Sequence, residues 1–258
     1  MTNTPSLFIS GAGAGIGRAT AKLFHQRGWR VGAADINQDS LASLLAELGH
    51  ERCQTFALDV RDHEQWQQVL AEFCQANDGK LDLLFNNAGI LCSGPFADTS
   101  IEQHQTLVDI NVQGVMNGCH AALPYLQATP GSRVVNMSSA STIYGQPDLA
   151  SYSASKFAVN GLSEALSLEW QSQGIRVMAV APLFVRTAMI DGMQTQSIKR
   201  FGVRLGAEDV ARTVWQISQH NGYRVHWPVG SQTKLAYLGS KLSPAWLNRA
   251  VNRWANSE

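Results

Sequence analysis

Short apolar runs alternate with longer stretches of helical periodicity along most of the chain. The runs at 7–10, 30–35, 54–59, 82–86, 132–138, 175–181 and 223–227 have strand length and β-like composition. Between them, 15–27, 40–48, 63–75, 101–126 and 151–173 place apolar residues three and four apart, which predicts amphipathic helices. Strand–helix alternation from end to end predicts an α/β fold. Its core is a doubly wound parallel sheet with helices on both faces, three layers αβα in a single domain. No Pro/Ser-rich linker, repeat or low-complexity tract interrupts the pattern, so that domain is expected over 1–230. Two segments depart from it. Residues 187–206 mix Met, Gln, Lys and Arg without a strong period, and predict a mobile loop or a short helical lid over a substrate. In 231–258, Leu242, Trp246, Leu247, Ala250, Val251 and Trp254 recur at helical spacing and share a face. That pattern predicts a helical tail packed on the domain or on a partner subunit.

Composition narrows the function classes. Apolar residues make up 45% of 258, enough for a core without disulfide or metal staples. The formal net charge is zero, which argues against a nucleic-acid binder, since those show a basic footprint. Cys53, Cys74, Cys92 and Cys119 are widely spaced, so neither a metal cluster nor a disulfide framework is expected, and a reducing cytoplasm is. The start Met1-Thr2-Asn3-Thr4-Pro5-Ser6 lacks the basic and apolar regions of a signal peptide, and no run of eighteen apolar residues exists.

The first strand runs Leu7-Phe8-Ile9-Ser10 into Gly11-Ala12-Gly13-Ala14-Gly15-Ile16-Gly17 and then a helix. Glycines spaced as Gly11, Gly15 and Gly17 permit a tight turn and close approach of the backbone to a pyrophosphate. The helix that follows directs unpaired N–H groups at the phosphates. Asp35 ends the second strand, eighteen residues beyond Gly17. A carboxylate there accepts hydrogen bonds from the adenosine ribose hydroxyls and repels a 2′-phosphate, and neither Ala14 nor Ile36 offers a compensating cation. Arg18 is the one cation nearby in sequence, with a sheet-edge cap or a solvent-facing position as its other readings. The cofactor expected is therefore NAD. Asp59-Val60 could bracket the adenine ring, and the small residues of Asn86-Asn87-Ala88-Gly89 suit close approach to the cofactor, although the latter also reads as a plain turn.

Tyr152 and Lys156 stand four apart on a predicted helix and share a face. A free phenol with a pKa of about 10 is a poor base at neutral pH. Lowering it to about 7 takes some 4 kcal/mol, the scale of one cation about 4 Å away at an effective dielectric near 20. Lys156 is placed to supply that cation. Ser139, at the end of Val134-Val135-Asn136-Met137, could aim a hydroxyl at the same point.

Taken together, Gly11, Gly15, Gly17, Asp59, Asn86-Asn87-Ala88-Gly89, Asn111, Ser139, Tyr152 and Lys156 closely resemble the short-chain dehydrogenase/reductase family over about 6–187. The resemblance implies a Rossmann-type sheet and a catalytic set of Asn111, Ser139, Tyr152 and Lys156. In that set Tyr152 is the acid/base and Ser139 orients the substrate oxygen. Lys156 binds the nicotinamide ribose and lowers the Tyr152 pKa, and Asn111 kinks a long helix and holds a water that starts a proton relay. Ser10 stands where the family usually has Thr and keeps the hydroxyl. Pro182-Leu183 replaces the usual Pro-Gly, with Leu183 adding bulk near the nicotinamide, and Val185 and Thr187 match positions that hold the carboxamide. Leu91, Ser93, Ile143, Tyr144, Leu149, Leu183, Met189 and Met193 are the expected substrate wall, favouring an apolar secondary alcohol or ketone. No metal is expected. The resemblance also implies a homodimer or homotetramer through helices 101–126 and 151–173. Three other readings remain: a polyol or sugar-type alcohol dehydrogenase, a dinucleotide-binding sensor without turnover, and a membrane-associated protein held by 242–254, the last less expected than a tail packed on protein.

Overall fold

The computed structural model describes residues 4–191, 193 and 195–256; residues 1–3, 192, 194, 257 and 258 of the expected domain, lid and tail lie outside the described residues. The elements run β1 (Ser6–Ser10), α1 (Gly15–Gln26), β2 (Arg30–Asp35), α2 (Gln38–Leu48), β3 (Cys53–Ala57), α3 (His63–Gln75) and β4 (Leu83–Asn86). They continue with α4 (Ile101–Val108), α5 (Gly114–Gln127), β5 (Arg133–Met137), α6 (Ala150–Glu169), β6 (Arg176–Ala181), β7 (Val185–Arg186) and α7 (Gln196–Phe201). β8 (Leu205–Gly206), α8 (Ala207–Gln219), β9 (His226–Pro228), α9 (Gly230–Leu242) and α10 (Ala245–Asn256) complete the chain.

Seven strands form one parallel sheet in the order β3-β2-β1-β4-β5-β6-β9. Side chains alternate across it. Leu7 and Ile9 of β1 point to a core that includes Phe24, Val31, Leu83 and Val214, while Phe8 points to the opposite core of Phe56, Trp66, Phe73 and Leu84. Both faces are covered by helices, which is why the strands read as continuous apolar runs rather than alternating ones. The direction of winding reverses between β1 and β4, and the carboxyl ends of those strands open the crevice where ligands of such sheets bind.

Most boundaries shift from the periodicity by one or two residues, α6 ends at Glu169 with a 3₁₀ turn at Gln171–Gln173, and three segments bear on the site. The stretch expected as one helix over 101–126 is α4, a π-helical turn at Asp109–Gln113, and α5. The last strand begins at His226 rather than 223 and ends on Pro228, whose missing N–H is tolerated on an edge strand. The 187–206 segment is made of short elements, helical in part. A 3₁₀ turn at Ala188–Ile190 and α7 lie between β7 and β8, which pair in parallel.

Candidate active site

The Gly-rich turn is held from three sides. Asn87 Nδ2 donates to the carbonyl oxygens of Ser10 and Gly11, each at 3.0 Å. Ser10 Oγ accepts from the N–H groups of Asn87 at 3.1 Å and Ala88 at 3.2 Å. Ser10 is therefore a brace between the ends of β1 and β4 and not a cavity wall. Gly11 has φ +69°, and a Cβ there would come within 2.8 Å of Ala88 Cα. Gly17 does not line the cavity either; a Cβ at that position would meet the Gly11 carbonyl oxygen, so its glycine serves the packing of α1. The N-cap of α1 is Ala14, with no side-chain cap and no acid in the first turn, so the N–H groups there suit a phosphate.

Asp35 closes the far side of this turn. Its Oδ2 accepts from Gly13 N–H and its Oδ1 from Asn37 N–H, both at 2.9 Å, and each oxygen keeps a second lone pair. Arg18 and Arg61, the cations described at this end of the cleft, are both engaged. Arg18 turns onto α2, to the Ser40 carbonyl oxygen at 3.2 Å and Glu47 at 3.1 Å. Arg61, which sequence reasoning missed, lines the cavity, and its guanidinium grips Asp59 through Nε–Oδ1 at 2.9 Å and Nη2–Oδ2 at 2.5 Å. That contact holds the Asp59 carboxyl below its ordinary range and the Arg61 group above its own.

Helix α6, which bears Tyr152 and Lys156, is fixed to the sheet by buried polar groups. Asn86 Nδ2 donates to Asn136 Oδ1 at 2.9 Å, and Asn136 Nδ2 donates to Ser163 Oγ at 2.9 Å. Ser139 follows β5 and caps a 3₁₀ turn, its Oγ accepting from Ser141 N–H at 3.2 Å. Lys156 is buried and donates from Nζ to the Met137 carbonyl oxygen at 3.0 Å, with Nζ 5.5 Å from the centre of the Tyr152 ring. The two titrating groups differ here from the expectation that Lys156 lowers the Tyr152 pKa. Burial pushes the Tyr152 phenol above its ordinary value, offset in part by a hydrogen bond with Ser139. Burial also pulls Lys156 down to about 8. Desolvation penalises the charged form of each.

Asn111 sits in the π-helical turn, a feature frequent at functional sites. Its side chain is buried. Oδ1 accepts from Ile90 N–H at 2.8 Å, and Nδ2 donates to the Ile90 carbonyl oxygen at 2.9 Å and to Ser155 Oγ at 3.2 Å. A Cβ on Gly89 would stand 3.0 Å from Asn111 Oδ1 and 3.7 Å from Lys156 Nζ. Asn111 thus braces the loop after β4 beside Lys156 instead of lining the cavity.

One cavity of about 380 Å³ joins these parts. Its wall includes Gly11, Gly15, Ile16, Asp35, Ile36, Asp59, Val60, Asn87, Ala88 and Gly89 at one end, and Ser139, Tyr152, Lys156, Pro182, Leu183, Val185 and Thr187 at the other. A Cβ on Gly15 would meet Thr187 Cγ2 at 3.2 Å, so the loop after β6 closes over the Gly-rich turn. Of the expected substrate wall, Leu91, Leu149, Leu183 and Met189 line the cavity; Tyr144, Ile143, Ser93 and Met193 lie off it. Tyr144 is half-buried, and that burial raises its phenol pKa. Ser141 and Gln146 are buried polar residues of the wall that sequence reasoning missed, and Ser141 Oγ has no hydrogen-bond partner. The uncapped α1 N-terminus, the Gly cradle and Asp35 at one end of a single cleft fit a dinucleotide.

The family model for short chain dehydrogenases matches residues 6–197. The chain is 37% identical over 192 residues to the oxidoreductase UcpA of Salmonella typhimurium, covering 73% of this chain and 72% of that one. It is 32% identical over 198 residues to D-threitol dehydrogenase of Mycolicibacterium smegmatis, covering 74% and 76% of the two chains. A short chain dehydrogenase/reductase from Burkholderia phymatum, solved in complex with NAD, superposes with a TM-score of 0.81 at 26% identity, covering 93% of this chain and 92% of that one.

Proposed function

The chain belongs to the short chain dehydrogenase family, and we propose that within it this protein is an NAD-dependent oxidoreductase interconverting an apolar secondary alcohol and its ketone. The observation that carries the reading is the convergence of Ser139, Tyr152 and Lys156 on a cavity that also contains the Gly-rich turn and Asp35. When bound, the nicotinamide supplies the hydride acceptor or donor. The protein supplies position and a proton path. Ser139 and the Tyr152 hydroxyl hold the substrate oxygen, and Tyr152 takes its proton during oxidation or returns it during reduction. Lys156, buried and about 8 in pKa, is mostly protonated at neutral pH and stands where it can hold the nicotinamide ribose and steady the phenolate. Asp35 favours NAD, because the two cations near it already have carboxylate partners.

The wall residues Leu91, Leu149, Leu183 and Met189 support an apolar substrate. A polyol is the second reading, supported by the unpartnered Ser141 hydroxyl in the wall and by the D-threitol dehydrogenase relative. Self-association is part of the proposal. Met116 of α5 and Phe157 of α6 are exposed on the helices that the family packs across a twofold axis. Purified protein screened with NAD and NADP against secondary alcohols and polyols, followed by absorbance of the reduced cofactor, tests the reading. Turnover of apolar alcohols with NAD is expected. Turnover confined to polyols replaces the substrate class, and none with either cofactor removes the reaction.

A further inference from the structure

Helix α10 is mounted with its polar side inward. Asn248 Nδ2 donates to the carbonyl oxygens of Ser240 at 3.0 Å and Ser243 at 3.4 Å, and Asn252 Nδ2 donates to that of Gly145 at 3.0 Å. The apolar side of the same helix faces out, with Trp246 71% exposed and Leu247 and Val251 also exposed. Trp254 shares that side and is engaged by the Arg200 guanidinium over its ring. Helix α9 repeats the arrangement: Thr233 is buried while Leu235 and Leu242 are 74% and 78% exposed and Leu238 is exposed as well. At about 100° per residue the apolar residues of each helix form one stripe. Two cations border each stripe along one edge, Lys234 and Lys241 on α9 and Arg249 and Arg253 on α10.

The charge on α9 and α10 themselves has one sign, four cations and no acid; Glu164 of α6 stands beside Tyr237 of α9 and is paired with His226. From residue 195 onward the chain has nine Lys and Arg against three Asp and Glu, and no acidic residue between Asp209 and Glu258. A second copy seated on this face by a twofold axis would set these cations against their own counterparts. A neutral apolar groove would leave them without counter-ions. An anionic lipid surface accommodates both parts, because the apolar stripe enters the acyl boundary while the flanking Lys and Arg reach lipid phosphates.

We propose that α9 and α10 form a docking surface for an anionic bilayer, inserting Leu235, Leu238, Leu242, Trp246, Leu247 and Val251 to headgroup depth. The attachment is peripheral: no helix among the described residues is long and apolar enough to cross a membrane. Gly145, which receives Asn252, belongs to the segment whose Ser141, Gln146 and Leu149 line the cavity. Docking therefore brings that wall close to lipid, where an apolar substrate would be concentrated. The surface itself is independent of the reaction proposed above, and so is its test.

The full-length protein is sedimented with vesicles of phosphatidylglycerol and phosphatidylcholine mixed, and with phosphatidylcholine alone. Binding to the mixed vesicles is expected, with a blue shift of tryptophan emission, release by added salt and little binding to phosphatidylcholine. Replacing Lys234, Lys241, Arg249 and Arg253 together by Glu should weaken partitioning by at least roughly a hundredfold, given about fivefold per cation near such a surface. Trp246→Ser with Leu242→Ser should weaken it by about tenfold or more. Melting temperature and subunit mass without vesicles check that the variants fold. If they do not, the lipid and salt dependence of the unmodified chain decides alone. No binding to the mixed vesicles, or undiminished binding by the folded charge variant, overturns the proposal. So does a fall in subunit mass on Trp246→Ser, which assigns the face to another copy of the chain.

Discussion

The catalytic body and the carboxy-terminal helices treat polarity in opposite ways. Around the cavity, polar groups go inward: Lys156, Asn111, Asn136 and Ser163 are all buried and all hydrogen-bonded. In α9 and α10, Leu235, Leu242 and Trp246 go outward while Asn248 and Asn252 face the protein. Each arrangement departs from what folding alone favours, since a buried amine loses hydration and an exposed Trp gains nothing from the core. The body gives up stability at its polar site, and the tail leaves apolar surface uncovered in the single chain. Function is thus legible as local disagreement with the rules of folding.

The strongest way to break this comparison is Tyr152→Phe. It keeps the ring and removes the proton carrier, so turnover should fall by about two to four orders of magnitude, with NAD affinity measured by fluorescence titration nearly unchanged. Near-normal turnover would remove Tyr152 from the chemistry. Next in size is cofactor choice. The carboxylate of Asp35 should give NAD at least roughly a hundredfold advantage over NADP in kcat/KM, and Asp35→Ser with Ile36→Arg should flatten it. Equal use of both by the unmodified chain sinks the assignment.

A third test concerns the buried amine. The folded-state pKa of Lys156, about 8, lies below that of a free lysine. Between about pH 8 and 10.5 the unfolded chain binds more protons at this site, so its contribution to stability rises with pH across that window. Lys156→Met should accordingly abolish most activity yet stabilise the fold at pH 7 by about 1–3 kcal/mol, reduced by the lost bond to Met137. Thermal melts that show a lower stability in that variant would mean that burial is not the dominant cost. The smallest effect sharpens the other half of the comparison. Leu242→Gln and Trp246→Gln in the tail should shift stability by no more than about 0.5 kcal/mol, because both side chains are already in water. A larger loss would show that the tail's apolar face is covered.

What could be read from the chain follows from how local each signal is. The Gly11–Gly17 turn, Asp35 at a strand end and Tyr152 four residues before Lys156 depend on near neighbours, and each lies on the cavity wall or supports it. Arg61 follows Asp59-Val60 directly and could have been included on that ground. The π-helical turn at Asp109–Gln113 has no local signal. It is held by Asn111 bridging to Ile90 and Ser155, contacts that exist only once β4, α5 and α6 are assembled. Tyr144 lies off the cavity wall, since a residue near Ser139 in sequence need not face the cavity. In the tail, periodicity grouped Trp246, Leu247, Ala250, Val251 and Trp254, which do share a face of α10, with Leu242, which ends the separate helix α9; it could not say which side meets the protein, because Asn side chains reaching Ser240, Ser243 and Gly145 decide it.

The one-sided charge of the carboxy-terminal quarter has a practical reading at the bench. With zero formal net charge at pH 7, the chain gives an ion-exchange column nothing to hold on average. A resin bead, however, samples only the patch it touches. The first 194 residues have eleven Lys and Arg against seventeen Asp and Glu, so the excess positive charge from residue 195 onward is balanced elsewhere and not locally. The protein should be retained by a cation exchanger at its own isoelectric point and eluted by modest salt, within the reach of a screening length of about 10 Å at 0.1 M. Retention of that kind is oriented. Every molecule would be attached by its carboxy-terminal quarter, as on a sensor chip prepared with one fixed handle.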